Sequence, residues 1–106
     1  MATVDFIKKC IRERKVSWTY HVNMRLKKRF ISRKIILQSV DSYEIIEEYP
    51  EDKYLPSYLI YAELEGEVFH ILIAVDEQKD NVRIITSYKP GSDEWREDLK
   101  TRRKKK

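Results

Sequence analysis

Residues 58–75, YLIYAELEGEVFHILIAV, decide the architecture. Apolar side chains recur at alternate positions on both sides of a Glu65-Gly66 pair, which describes two strands and a tight turn. A two-residue turn there sets Tyr61 opposite His70. Successive side chains leave a strand on opposite faces, so Phe69, Ile71, Ile73 and Val75 share one surface and His70 lies on the other. Upstream, residues 43–49 read as a strand ended by Pro50. Downstream, an acidic turn over residues 76–80 leads into a strand at 81–89, closed by Pro90-Gly91. If that second hairpin closes without a bulge, His70 faces Thr86 and Val68 faces Tyr88. Tyr61, His70, Thr86 and Tyr88 then share one surface, while Ile85 and Arg83 fall on the apolar one.

Before residue 42 the period is four rather than two. Val4, Ile7 and Ile11 share a face of a helix over residues 4–14, and an extended piece follows at 16–19. Thr19 caps a second helix, 20–30, whose apolar side is Val22, Leu26 and Phe30. Ser32 caps a third, 33–40, with Ile36 and Val40 turned inward, and Ser92 is placed to cap a last one to about Leu99. Consecutive strands with short connections make an antiparallel meander. The expectation is an α+β chain: a four-stranded antiparallel sheet, N-terminal helices on one face and a short C-terminal helix. The 106 residues suit one domain, with a mobile basic tail from about residue 100.

The net charge of +4 conceals a segregation. Residues 1–40 carry eleven Lys/Arg against two acids, residues 41–82 two against twelve, and residues 83–106 nine against four. Such separation points to an anionic partner for the ends, with nucleic acid foremost. The alternative is that basic ends and acidic middle neutralise each other across the fold. A single cysteine, Cys10, builds neither a disulfide framework nor a metal cluster, and no zinc-ligand spacing occurs. The N-terminus lacks a leader's apolar core and the longest apolar run, 71–75, is strand length, so the expected setting is cytoplasmic, away from membranes.

The chemistry-bearing residues fall in two groups. His21, Arg25 and Arg29 recur every four residues and form a basic stripe opposite Val22 and Leu26, with Lys28 beside it. Arginine forks bind phosphate oxygens in bidentate fashion; a solvated basic face is the plainer reading. On the sheet, His70 and Tyr88 offer proton transfer and base stacking, although a lone strand histidine is commonly a hydrogen-bonded structural residue. RNA cleavage needs a base for the 2′-hydroxyl, an acid for the leaving oxygen and cations for the phosphate. The catalytic set expected is His21, His70, Tyr88 and Arg25, with Lys28, Arg29, Arg83, Lys89, Arg102 and Arg103 contacting RNA. The run Glu47, Glu48, Glu51 and Asp52 reads as an acidic surface for partner contact.

At these residues a resemblance appears. Tyr20-His21, Arg25, Arg29 and Ile31-Ser32, then EIIEEYPED, GEVFHILIAVDE and IITSYKPGSDEWREDLKTRR, resemble a small bacterial domain-of-unknown-function family grouped with the RelE-like toxins, over residues 16–103. The resemblance implies a RelE-like fold and a toxin of a type II toxin–antitoxin system. It further implies metal-independent cleavage of mRNA, on the ribosome in some relatives, with no cofactor. The implied protein partner is a cognate antitoxin of zinc-finger or helix-turn-helix type. By position it brings forward His21, Arg25, Arg29, His70, Tyr88 and Arg102. The second reading is a non-catalytic RNA- or protein-binding member of the same superfamily, such as the gyrase inhibitors. The N-terminal helix with Cys10 lies outside the resemblance.

Overall fold

The computed structural model describes residues 2–29 and 31–104, the Arg25 side chain excepted. Phe30, the Arg25 side chain and the last two lysines of the tail therefore lie outside the described residues. Helix α1 (Thr3–Arg12) buries Ile7, Cys10 and Ile11, with Asp5 in its first turn and Arg12 in its last, as the helix dipole favours. Strand β1 (Val16–Trp18) follows. Helix α2 (Tyr20–Lys28) is capped by Thr19, whose Oγ1 accepts from the Val22 amide at 3.0 Å. Helix α3 (Arg33–Gln38) is capped by Ser32, which accepts from the Ile35 amide. A 3-10 turn, Val40–Ser42, then delivers the chain to β2 (Glu44–Tyr49), β3 (Ser57–Leu64), β4 (Glu67–Asp76) and β5 (Asn81–Tyr88).

The fold is α+β, but its sheet has five strands rather than four and is mixed. The order is β1-β5-β4-β3-β2, with β1 parallel to β5 and the rest antiparallel. The extended piece expected near residue 16 pairs Val16 with Val82 and Trp18 with Ile84. Three residues whose partner lies at the far end of the chain carry no local signal of such pairing. The β3–β4 hairpin turns at Glu65 (φ 53°) and Gly66 (φ 83°), the two left-handed residues that match the right-handed strand twist. Tyr61 accordingly pairs with His70.

The β4–β5 hairpin corrects the expected register. It closes over residues 77–80, pairing Asp76 with Asn81, and a bulge between Leu72 and Ile73 adds a second one-residue shift. His70 therefore pairs with Tyr88, not Thr86, and Thr86 pairs with Leu72. The two shifts cancel in parity beyond the bulge, so Thr86 and Tyr88 keep the expected face. Before it only one shift acts. Ile85 is left unpaired and exposed, Ile84 and Val82 enter the core, and Arg83 pairs with Ala74 on the face away from the helices. The core lies between the helices and the sheet face bearing Phe69, Ile71 and Ile73, all at most 2% exposed.

No C-terminal helix forms among the described residues. Trp95 makes one helical contact, to the Gly91 carbonyl, and the chain then turns back so that Trp95 and Arg102 form an antiparallel bridge. The Arg96 amide donates to the Thr101 carbonyl, and Asp98 accepts from the amides of Lys100 and Thr101. An aspartate that binds the backbone ahead of it competes with helix propagation. With only Trp95 and Leu99 as apolar residues, the segment has no face to reward a helix.

Candidate active cleft on the helix-free face of the sheet

The face away from the helices is where the polar side chains of the central strands meet. Tyr61, His70 and Tyr88 stand in one cross-strand row on β3, β4 and β5. The turn segment after β5 folds over this row. Trp95 packs edge-on against His70, with ring centroids 4.4 Å apart at 83°, and His70 is fully buried. Tyr88 meets the imidazole at 5.4 Å in a second edge contact. His70 Nε2 lies 2.6 Å from the Leu99 carbonyl, and Nδ1 lies 3.3 Å from the Tyr88 hydroxyl. A carbonyl only accepts, so Nε2 carries the proton and Nδ1 accepts from Tyr88. Burial lowers the His70 pKa and holds the ring neutral; the same cause raises that of Tyr88.

A second group completes the cleft. The Arg102 guanidinium binds Glu47 in bidentate fashion, at 2.6 and 3.1 Å, and rests 4.5 Å over Trp95. Tyr49 donates its hydroxyl proton to the same carboxylate. Burial works to raise the Glu47 pKa, but the hydrogen bonds from Arg102 and Tyr49 outweigh it and hold the group below the usual carboxylate value. Arg102 remains half exposed, so it still faces solvent. A cleft of about 360 Å³ opens here, lined by Tyr49, Asp52, Leu59, Leu72, Thr86, Tyr88 and Arg102. Among the described residues, no three His, Cys, Asp or Glu side chains come together in a way that would hold a metal ion.

The expected site residues divide. His70, Tyr88 and Arg102 come together. His21 sits exposed on the first turn of α2, and no hydrogen bond joins it to the cleft among the described residues. Arg29 reaches across the edge of β5 that β1 leaves free, donating to Thr86 Oγ1 at 3.0 Å and the Ser87 carbonyl at 2.7 Å. It thereby stands at the lip of the cleft, since Thr86 lines it. Lys28 is exposed nearby; Arg83 is exposed on the same sheet face, opposite Ala74. Lys89 pairs with Glu67 at 3.0 Å, and Arg103 donates to the Ser92 carbonyl.

The basic ends divide into cations paired with the acidic middle and cations that are not. Arg12–Asp41, Lys15–Asp80, Lys89–Glu67, Lys100–Glu44 and Arg102–Glu47 each tie a basic end to the acidic middle. Lys27, Lys28, Arg29, Arg33 and Lys34 have no carboxylate partner among the described residues; Arg33 instead binds Asn23 and stacks on Trp18. Sequence reasoning missed Glu47, Tyr49 and Trp95 as parts of the site. Strand parity puts Glu47 and Tyr49 on one side, but nothing local shows that Arg102 returns to them.

The chain belongs to the family described as Domain of unknown function (DUF4258), which matches residues 18–89. That span holds Glu47, Tyr49, His70 and Tyr88 but neither α1 nor the segment that supplies Trp95, Leu99 and Arg102. A comparison with the curated proteins found no match, and a comparison with the solved structures found none.

Proposed function

We propose, from the cleft and from the resemblance carried by the sequence motifs, that the protein is an RNA-acting toxin of the RelE-like kind, a metal-independent endoribonuclease with a cognate antitoxin. The observation that carries the reading is the Tyr88 hydroxyl, hydrogen-bonded to a neutral His70 and lining a cleft beside Arg102. Arg29, one of the cations between Lys27 and Lys34 without a carboxylate partner, reaches Thr86 on the cleft wall over the free edge of β5. Such a surface suits a single strand whose phosphates track the cations.

His70 is buried, so it reaches substrate only through Tyr88. The Tyr88 proton is committed to Nδ1, which turns the hydroxyl lone pairs to the cleft. A 2′-hydroxyl bound there gives its proton to Tyr88 as the Tyr88 proton passes to Nδ1. The 2′-oxygen attacks phosphorus and the bond to the 5′-oxygen breaks. Water in the open cleft protonates the leaving oxygen, and the hydroxide so formed takes the extra proton back from His70 through Tyr88. Arg102 faces the charge that builds on the phosphate, and Glu47 lies near enough to favour the imidazolium formed. The products are a 2′,3′-cyclic phosphate and a 5′-hydroxyl.

A non-catalytic RNA- or protein-binding domain is the second reading, favoured by the burial of His70 and the backbone bond to its Nε2. End-labelled single-stranded RNA incubated with purified protein separates the two. Wild type is expected to release fragments with cyclic-phosphate ends, and Tyr88→Phe, which keeps the ring packing, to cleave about 10²–10⁴-fold more slowly. Equal cleavage by a folded Tyr88→Phe, or none by wild type, hands the surface to the binding reading.

A further inference from the structure

The hydrogen bond between His70 and the backbone of Leu99 has a peculiarity. Leu99 adopts φ 57°, a left-handed conformation that branched and bulky residues rarely enter. Its surroundings hold it there. The Leu99 amide donates to the Arg96 carbonyl at 2.8 Å, and the Arg96 amide binds the Thr101 carbonyl at 2.8 Å. Asp98 ties down the amides of Lys100 and Thr101 on the far side. The outcome is a carbonyl aimed at His70 Nε2 from 2.6 Å.

We infer that the Leu99 backbone is a positioning element, which fixes His70 as its Nε2–H tautomer and so leaves Nδ1 to receive the Tyr88 proton. The catalytic part of this rests on the nuclease reading above; the tautomer itself does not. With the proton on Nδ1, two lone pairs would face each other between Nε2 and the Leu99 carbonyl, and the Tyr88 hydroxyl would be left without its acceptor. The ring cannot turn to escape. Trp95 packs edge-on against it at 4.4 Å and Tyr88 at 5.4 Å, and the ring is fully buried. Strained backbone concentrates where a functional geometry must be held, and here the held geometry decides which way a proton travels. The positioning residue lies ten residues beyond the span matched by the family, so this portion of the site is contributed by the chain's own C-terminal turn.

The test is nitrogen NMR on the full chain labelled at histidine, where protonated and unprotonated ring nitrogens resonate far apart. Wild type should show His70 with protonated Nε2 and bare Nδ1; the reverse assignment overturns the inference. Three variants then separate backbone from side chain. Leu99→Gly and Leu99→Asn accept a left-handed backbone while discarding the apolar side chain, and both should keep the wild-type tautomer. Leu99→Ile keeps the apolar volume but resists that backbone, and should give a tautomer mixture with at least tenfold lower kcat at unchanged KM. The opposite order, with Ile retaining the tautomer while Gly and Asn lose it, means that packing holds the ring and ends the inference. If Leu99→Ile does not fold, loss of the tautomer in Gly and Asn still overturns it. If the tautomer follows the predicted order while Tyr88→Phe cleaves normally, the positioning stands and the nuclease reading falls.

Discussion

His70→Gln, measured for stability against pH, probes the centre of the site without reference to any activity. Glutamine can still donate to the Leu99 carbonyl, but it loses the acceptor for Tyr88 and the edge-on packing with Trp95. A net hydrogen bond contributes about 1 kcal/mol and an aromatic edge pair about 1 kcal/mol, so the variant should be some 2 kcal/mol less stable at pH 8. The gap should not stay constant. Burial puts the folded-state pKa of His70 below its ordinary 6.5. Between those two values the unfolded chain binds a proton that the folded chain refuses, so wild-type stability falls as pH falls through that window. The loss is about 1.4 kcal/mol for each unit by which the pKa is depressed. The variant has no such group. His21 and the carboxylates away from the cleft are common to both proteins and drop out of the difference, while Glu47 opposes the depression that burial imposes on His70 without reversing it. Urea unfolding followed by circular dichroism at pH 8, 7, 6 and 5 should therefore show the gap narrowing toward acid. A gap that holds steady or widens would refute the claim that His70 is buried neutral.

Three further outcomes follow from the structure. Ile84→Ala, in the core beside the bulge, should cost about 2–5 kcal/mol, whereas Ile85→Ala, at the exposed bulge, should stay within about 0.5 kcal/mol; comparable losses in urea titrations would mean the register is otherwise. Thr19→Ala and Ser32→Ala should each lower stability by about 1 kcal/mol by removing a helix cap, and a thermal melt unmoved by either would disprove that cap. Lys28→Ala combined with Arg29→Ala should reduce the salt dependence of single-stranded RNA binding by about 0.7 for each phosphate that the variant no longer neutralises, and an unaltered slope in titrations at several salt concentrations would remove this face from the RNA path.

Local pattern was enough for most of the scaffold. The period-four spacing of Ile7, Val22, Leu26 and Ile36 places the helices, Thr19 and Ser32 mark their starts, and the period-two run around Gly66 aligns Tyr61 with His70. These features depend on neighbours within a few residues, so composition and spacing suffice to state them. They also put His70 and Tyr88 on one face, because the two one-residue shifts in the β4–β5 hairpin cancel in parity there.

Everything decided by distant segments had to await the tertiary structure. Closure of the β4–β5 hairpin over residues 77–80 turned Ile84 in and moved Arg83 to the other face, because a one-residue shift inverts the alternation. The bulge at Ile85 restores it for Thr86 and Tyr88. The extended piece near residue 16 is legible locally, but it becomes strand β1 only because β5 offers it a free edge. The cleft is assembled the same way. Arg102 finds Glu47 across 55 positions and Leu99 finds His70 across 29, through a turn that Asp98 diverts from the helix that Ser92 is placed to cap. Periodicity records which face a residue occupies; it holds no information about which remote chain segment closes over that face, since that is settled by the shape and charge of the folded sheet.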